Sequence, residues 1–279
     1  MQLFDLPIEI LGVEVFSWMD ERSLVGLDMA VTSTLSREGY LQAYTYLPTH
    51  CIDKLSDNIT PLKMMWLSKR GIKLSSVVVA KRLSAGDLTS VLKGLNSSIT
   101  TCLEHIQFNG NKELRDSHLF ILARISRDLK TVDLWNCNKI TDLGLIRLVE
   151  NSPNLTDVSL WQHTLSHCRS HSWDPVVKIS NFSIHALVTN CPNLANLNLS
   201  SCCSKLTDEA IYSLCRHKVL KTLDLSWNSD HLSDSALLIL SRSCPSLTTL
   251  KIGGRCRSRY TILIEEALHR YSSCHVPRS

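Results

Sequence analysis

The hydrophobic positions of this chain repeat one short phrase, L-x-x-L-x-L, along most of its length. Within the phrase the fourth and sixth positions are apolar and alternate with polar positions, which is typical of a β-strand with one buried face. Three of the six intervals between copies are 26 residues and two are 27 and 29, whereas one interval of 39 residues holds a 13-residue insertion. The copies begin at Leu74, Leu103, Leu129, Leu155, Leu194, Leu220 and Leu247. A fixed period of this length predicts a solenoid of stacked units, which favours binding over catalysis.

A helical pattern follows the later predicted strands and opens with Thr-Asp or Ser-Asp. Thr141, Thr207 and Ser233 are predicted N-caps, and the acidic residue after each one complements the positive end of the helix dipole. Proline near the helix ends, as at Pro153 and Pro192, stops the helix and returns the chain to the next strand. One strand and one helix per repeat predict an α/β fold of parallel strands with the helices on the outer side.

These repeats resemble the cysteine-containing leucine-rich repeat, whose signature runs C-P-x-L-x-x-L-x-L-x-x-C-x-x-I-T-D-x-G-L-x-x-L. The third copy matches it at Leu129, Val132, Leu134, Cys137, Ile140, Thr141, Asp142, Gly144, Leu145 and Leu148. The resemblance implies a leucine-rich-repeat solenoid, a horseshoe of about seven repeats over residues 74–279 with an insertion near residues 161–178. The degenerate first copy suits a capping repeat.

The first fifty residues carry a different pattern, in which L-P-I-E-I-L is followed by V-F-S-W-M-D and then S-L-V-G-L. This segment resembles the F-box, a small helical domain that would span residues 1–50, with residues 51–73 as a helical linker or cap. In that family the F-box binds the Skp adaptor of a cullin–RING ubiquitin ligase, and the repeats bind the substrate protein. The adaptor contacts that the resemblance implies are Leu6, Pro7, Ile10, Leu11, Val15, Phe16 and Leu24.

Composition narrows the classes of function. Hydrophobic residues make up 44% of the chain and charged residues 20%, as in a folded globular protein. The first ten residues contain no basic side chain, so no signal peptide is predicted, and no apolar run approaches the roughly 20 residues of a membrane span. The eleven cysteines are expected to be reduced thiols of the cytoplasm or nucleus. A net charge of +4, with basic clusters in residues 54–82 and 255–259, does not favour nucleic-acid binding.

A candidate site for a protein partner lies on the predicted concave face. Trp135 and Trp161 occupy the same position in adjacent repeats, so their rings are expected to be neighbours. Acidic Asp133 and Asp157 lie beside them, and His163 begins the histidine-rich insertion above them. Such a cluster is typical of a binding hot spot, and the alternative is that the tryptophans pack beneath the insertion.

The insertion also holds the residues for two less favoured chemistries. His163, His167, Cys168 and His171 are types that bind zinc, but their spacing does not match a zinc motif. Cys168, with His167 and Asp174, is a conceivable nucleophile in a loop that does not preorganise it. Cys137, Cys191, Cys202 and Cys244 are expected to be buried thiols that pack as small hydrophobic residues. We therefore predict no cofactor, no bound metal and no catalytic residue.

Together, the repeats and the F-box resemblance imply a substrate-recognition subunit of an SCF-type ubiquitin ligase. Such a subunit is not itself an enzyme, because the chemistry belongs to the other subunits. Its expected partners are the Skp adaptor and cullin complex and a substrate protein, and it is expected to be a monomer outside that complex. The alternative is a leucine-rich-repeat scaffold in which the N-terminal segment only covers the open edge of the first repeat.

Overall fold

One parallel sheet of short strands runs through the part of the chain that can be described. The computed structural model describes residues 42–43, 59–69, 74–95, 103–108, 110–125, 127–161, 179–201, 206–228 and 232–252. Within these residues the sheet has seven strands in sequence order. They are β1 Ser76–Val78, β2 His105–Gln107, β3 Thr131–Asp133, β4 Asp157–Ser159, β5 Asn196–Asn198, β6 Thr222–Asp224 and β7 Thr249–Lys251.

One helix precedes β1, six others connect each strand to the next, and all pack beside one another in chain order. They are α1 Pro61–Lys69, α2 Ala85–Leu95, α3 Asp116–Ala123, α4 Asp142–Val149, α5 Asn181–Asn190, α6 Asp208–Leu214 and α7 Asp234–Ser243. The fold is the leucine-rich-repeat solenoid that the sequence predicts. None of the helices in the described residues is long and apolar enough to cross a lipid bilayer.

The register of the sheet follows directly from the 26-residue period. Ile106 pairs with Val132, and Val132 pairs with Val158, so the fourth positions of successive phrases lie side by side. The pairing continues from Val158 to Leu197 across the 39-residue interval, which shows that the insertion leaves the register unchanged. All four side chains are buried in one continuous core. The alternation read from the sequence is therefore confirmed.

Three of the four described cysteines of the repeats belong to this core, and half-buried Cys215 packs against it. Cys137 and Cys191 are fully buried and Cys244 nearly so. Burial raises the pKa of the Cys137 and Cys191 thiols to about 12, so both stay protonated at neutral pH. Their packing as small hydrophobic residues is confirmed, whereas Cys202 lies outside the described residues.

A carboxylate at the start of one helix binds the N-cap residue of the next helix. Its two oxygens accept hydrogen bonds from the backbone N–H and the hydroxyl of that residue, at 2.6–2.8 Å. The pairs are Asp116 with Thr141, Asp142 with Ser180, and Asp208 with Ser233. The Thr-Asp and Ser-Asp pattern therefore joins neighbouring repeats, in addition to the predicted effect on the helix dipole. We call these contacts the inter-repeat clamp.

Asn181 takes the place of the carboxylate in α5 and changes the role of one predicted cap. Its amide oxygen accepts from the backbone N–H of Thr207 at 3.0 Å, and its amide nitrogen donates to Thr207 Oγ1 at 2.8 Å. Thr207 Oγ1 caps no N–H of its own helix, so the predicted side-chain cap is wrong there. Thr141 and Ser233 do cap their helices, by accepting from the N–H groups of Leu143 and Ala236.

The edge of the sheet before β1 is covered by residues that precede the repeats. Ile59 bridges Val79 in parallel, and its N–H donates to the carbonyl of Val78 at 2.7 Å. Helix α1 packs against α2. Met64 lies so close to Gly94 that a Cβ there would come within 2.6 Å of the Met64 Cγ. Residues 59–69 therefore extend the solenoid by part of a repeat. Most of the F-box-like segment lies outside the described residues.

A buried histidine links α3 to α2. His118 is only 3% exposed, and its Nδ1 accepts the backbone N–H of Arg115 at 3.0 Å. Its Nε2 lies 3.1 Å from the carbonyl oxygen of Ala85 and donates to it, since a carbonyl can only accept. Burial lowers the pKa of His118 below its ordinary value of 6.5. The imidazole is therefore held in its neutral form.

The inter-repeat clamp predicts a specific order of stabilities. Asp208→Ala removes both acceptors of Ser233, and we expect the free energy of unfolding to fall by about 2–3 kcal/mol. Asp208→Asn should cost about 1 kcal/mol, since Asn181 shows that an amide fits this geometry. Asp128→Asn, on an exposed carboxylate, is the control. Urea unfolding measures all three, and equal losses for alanine and asparagine would contradict the clamp.

His118 predicts a loss of stability in mild acid. The folded protein binds this proton more weakly than the unfolded chain, so the free energy of unfolding falls as the pH drops below about 6.5. The loss continues down to the lower pKa of the folded state and then stops. His118→Gln keeps an acceptor for the Arg115 N–H and should flatten the pH profile, whereas exposed His185→Gln should not. Urea unfolding at a series of pH values below about 6.5 measures this dependence. If the free energy of unfolding of His118→Gln fell with pH as steeply as that of the wild type, His118 would not be its source.

Candidate functional site

The face of the sheet opposite the core carries two columns of side chains, because only the middle residue of each three-residue strand points into the core. The first column contains Ser76, His105, Thr131, Asp157, Asn196, Thr222 and Thr249. The second contains Val78, Gln107, Asp133, Ser159, Asn198, Asp224 and Lys251. The strand register places each column in a line across the sheet. This surface is the concave face.

A shallow cavity of about 240 Å³ runs along the concave face and is lined by residues of β2 to β7. Its charged lining residues are Asp133, Asp157, Asp224 and Lys251. Three carboxylates against one ammonium make this surface acidic, although the whole chain carries a net charge of +4. The sign of its charge therefore distinguishes the concave face from the chain as a whole.

The second column also shapes the chain at the end of each strand. Asp133, Asn198 and Asp224 each use one side-chain oxygen to accept the backbone N–H two residues later, at 2.9–3.0 Å. This Asx turn satisfies a donor where the strand ends. Asp133 therefore has a structural role that the sequence did not reveal, and asparagine performs the same role in β5.

The three carboxylates differ in how far their remaining oxygens are satisfied. Asp133 Oδ2 has no partner among the described residues, whereas Asp224 Oδ2 lies 3.8 Å from the Nζ of Lys251. Both oxygens of Asp157 accept hydrogen bonds, one from the Asn196 amide and one from the Thr156 hydroxyl. These two donors are neutral, and no described cation forms an ion pair with Asp157. The uncompensated negative charge therefore lies on β3 and β4.

The two tryptophans of the predicted hot spot stack on each other. The ring centroids of Trp135 and Trp161 are 5.5 Å apart and their planes differ by 20°. Gly110 lies against Trp135, since a Cβ there would approach its Cζ3 to 3.2 Å, and the Nζ of Lys81 lies 5.4 Å from the Trp135 ring centre. Both indoles are half-buried. The stack sits at the carboxyl ends of β3 and β4, beside Asp133.

A third tryptophan at this rim was not singled out from the sequence. Trp227 is 40% exposed and has a backbone φ of 66°, in the left-handed region. The equivalent positions of other repeats hold Gly110, Asn136 and Ser201, also with positive φ. A bulky side chain there is strained, whereas glycine and asparagine adopt this conformation readily. Aligning the repeats by position would have marked Trp227 as the exception.

Several predicted site residues lie outside the described part of the chain. They are the adaptor contacts Leu6, Pro7, Ile10, Leu11, Val15, Phe16 and Leu24, and the insertion residues His163, His167, Cys168, His171 and Asp174. In the ranges that the structure does describe, no group of three His, Cys, Asp or Glu side chains is placed to hold a metal ion. The described candidates Asp133, Trp135, Asp157 and Trp161 lie close together on β3, β4 and the turns that follow them.

Comparison with known proteins gives partial likenesses. No protein-family profile matches the chain. The antagonist of mitotic exit network protein 1 from Candida glabrata is 29% identical over 156 residues, which cover 54% of this chain. The match spans 28% of the length of that relative.

Two solved structures are similar at low sequence identity. The leucine-rich-repeat protein LegL7 of Legionella pneumophila is 16% identical, with a TM-score of 0.46, over 88% of this chain and 71% of that one. A chain of the Rad7 and Elc1 complex from yeast is 13% identical, with a TM-score of 0.37, over 69% of this chain and 60% of that one.

The tryptophan stack predicts a spectroscopic signature. Two indoles at this distance couple their electronic transitions, so the far-ultraviolet circular dichroism spectrum should show an exciton couplet. Trp135→Phe and Trp161→Phe should each abolish the couplet, whereas Trp227→Phe should retain it. A couplet that survives either of the first two substitutions would rule out the stack as its source.

Proposed function

We propose that this protein is the substrate-recognition subunit of an SCF-type ubiquitin ligase. Residues 1–50 would bind the Skp adaptor, and the concave face would hold the substrate protein. The protein would act in the cytoplasm or nucleus, without catalysis of its own. The observation that carries this proposal is the acidic, tryptophan-bordered concave face, joined in one chain to a segment that resembles an F-box.

The shape of the concave face supports a protein as the ligand. Its cavity of about 240 Å³ is open and shared among six strands, whereas pockets for small molecules are usually more enclosed and about 300–1,000 Å³ in volume. Polar side chains over a wide area, with a half-buried aromatic pair at one end, are typical of a protein interface. Binding would therefore rest on surface complementarity.

The covered edge of the sheet favours an F-box over a simple cap. An open strand edge needs cover, and residues 59–69 already supply it through the Ile59 bridge and helix α1. Ala43, in the segment before them, is also buried in this core, so the end of that segment packs with the repeats. Residues 1–40 would then be available for another partner. If the protein is instead a scaffold with a helical cap, the first forty residues are needed to keep the repeats folded.

Binding to purified Skp adaptor tests the proposal. The wild-type protein should retain the adaptor in a pull-down at micromolar concentration. Leu11→Asp combined with Phe16→Asp should lose it, because both residues are contacts that the F-box resemblance implies. Asp128→Asn, on the solenoid surface, should bind like the wild type.

The outcome separates the two functions. Loss of binding in the double variant, with an unchanged unfolding midpoint, supports the ligase subunit. Absence of adaptor binding by the wild-type protein would instead support the scaffold function. A chain lacking residues 1–40 adds a second measure, since a cap predicts a lower midpoint for the repeats and an F-box predicts no change.

A further inference from the structure

We infer that the concave face binds an extended segment of the partner that carries arginine, with the guanidinium held between Asp133 and Asp157. This inference rests on the proposed function, since it names the chemistry of the protein that the same face would hold. It depends on the charges of the concave face, the hydrogen bonds of its carboxylates and the distance between them.

The first argument is electrostatic. Asp133 and Asp157 lie on neighbouring strands and line the same cavity. Neither forms an ion pair with a described cation, since Lys81 lies over the Trp135 ring, whereas Asp224 has Lys251 beside it at 3.8 Å. Carboxylates near a low-dielectric wall attract cations more strongly than exposed ones do. The unpaired end of the concave face is therefore complementary to a positively charged group.

The second argument is geometric. Parallel strands about 4.8 Å apart, with about 3.3 Å per residue, place the Cα atoms of Asp133 and Asp157 roughly 8 Å apart on one face. Because both side chains leave the same face of the sheet, their carboxylates are separated by a similar distance. A guanidinium that donates from both ends, through charge-assisted N–H···O bonds of about 2.8 Å, can span it. Arginine has five donors in a flat fork, whereas the ammonium of lysine is a compact charge. Arginine therefore fits the carboxylate pair better than lysine.

The third argument comes from the state of the acceptors. Asp133 Oδ1 is committed to the backbone N–H of Trp135, which fixes the carboxylate and leaves Oδ2 available. The Asn196 amide and the Thr156 hydroxyl hold Asp157 in one orientation. The pair is thus preorganised, and little side-chain freedom remains to be lost on binding. The stack of Trp135 and Trp161 offers apolar contact to the residue beside the arginine.

A peptide-binding experiment tests this inference with the full-length protein. The probe is a fluorescein-labelled, amidated peptide in which two arginines alternate with leucine, and its partner probe carries neutral citrulline in place of arginine. Fluorescence anisotropy should show binding of the arginine peptide that weakens as salt is raised. The citrulline peptide should bind at least about tenfold more weakly, which corresponds to loss of one charge-assisted contact.

Matched variants show where the peptide binds. Asp133→Asn with Asp157→Asn should weaken the arginine peptide by about tenfold or more. Asn198 shows that asparagine keeps the Asx turn, so this variant is expected to fold. Asp128→Asn with Glu150→Gln removes the same charge from exposed turn positions and should change the affinity less than about twofold.

Each result has a defined meaning. Equal binding of the two peptides, or equal loss in the two double variants, would overturn the inference. Binding that appears only after Arg255, Arg257 and Arg259 are changed to glutamine would assign the concave face to the chain's own tail and would also overturn it. The concave double variant should still bind the Skp adaptor. Failure of the peptide test beside intact adaptor binding therefore refutes this inference alone, and the reverse pattern refutes the ligase proposal alone.

Discussion

Parallel pairing in one constant register is the constraint on which the rest of the structure depends. Each strand is only three residues long, and its middle residue is buried, as Val132 and Val158 show. A slip of one residue would exchange the core column for the two solvent columns in that repeat. The concave face is therefore a consequence of the same apolar spacing that forms the core.

The helical layer reinforces this register from the other side. The inter-repeat clamp joins the first residue of one helix to the cap of the next, so that each repeat fixes the position of its neighbour. Gly144 shows how close this approach is, because a Cβ there would lie 3.0 Å from the Cα of Asp116. Stability in such a solenoid is approximately the sum of the intrinsic stabilities of the repeats and of the contacts between neighbours. These contacts also fix the positions of the strands relative to one another. The side chains of the concave face belong to those strands, so their relative positions are fixed as well.

The sequence was sufficient for the fold and insufficient for the details of the candidate site. Periodicity predicts the strands and helices because each repeat shows the same apolar spacing. With seven copies, a departure from the pattern in one repeat does not obscure the period. Hydrogen bonds between repeats depend on spatial neighbours that a linear pattern does not identify. The clamp on Ser180, the Asx turn at Asp133 and the strained Trp227 were therefore missed. Ring stacking of Trp135 and Trp161 was predictable, because the period alone makes them neighbours.

The proposed function assigns two separate surfaces to one chain, an N-terminal segment for the adaptor and the concave face for the substrate. Hydrogen–deuterium exchange of the full-length protein with and without purified Skp adaptor tests this separation most directly. The account predicts slower exchange in residues 1–50 on addition of the adaptor, with the strands β3 and β4 unchanged. Protection of β3 and β4 by the adaptor, or no protection in residues 1–50, would contradict it.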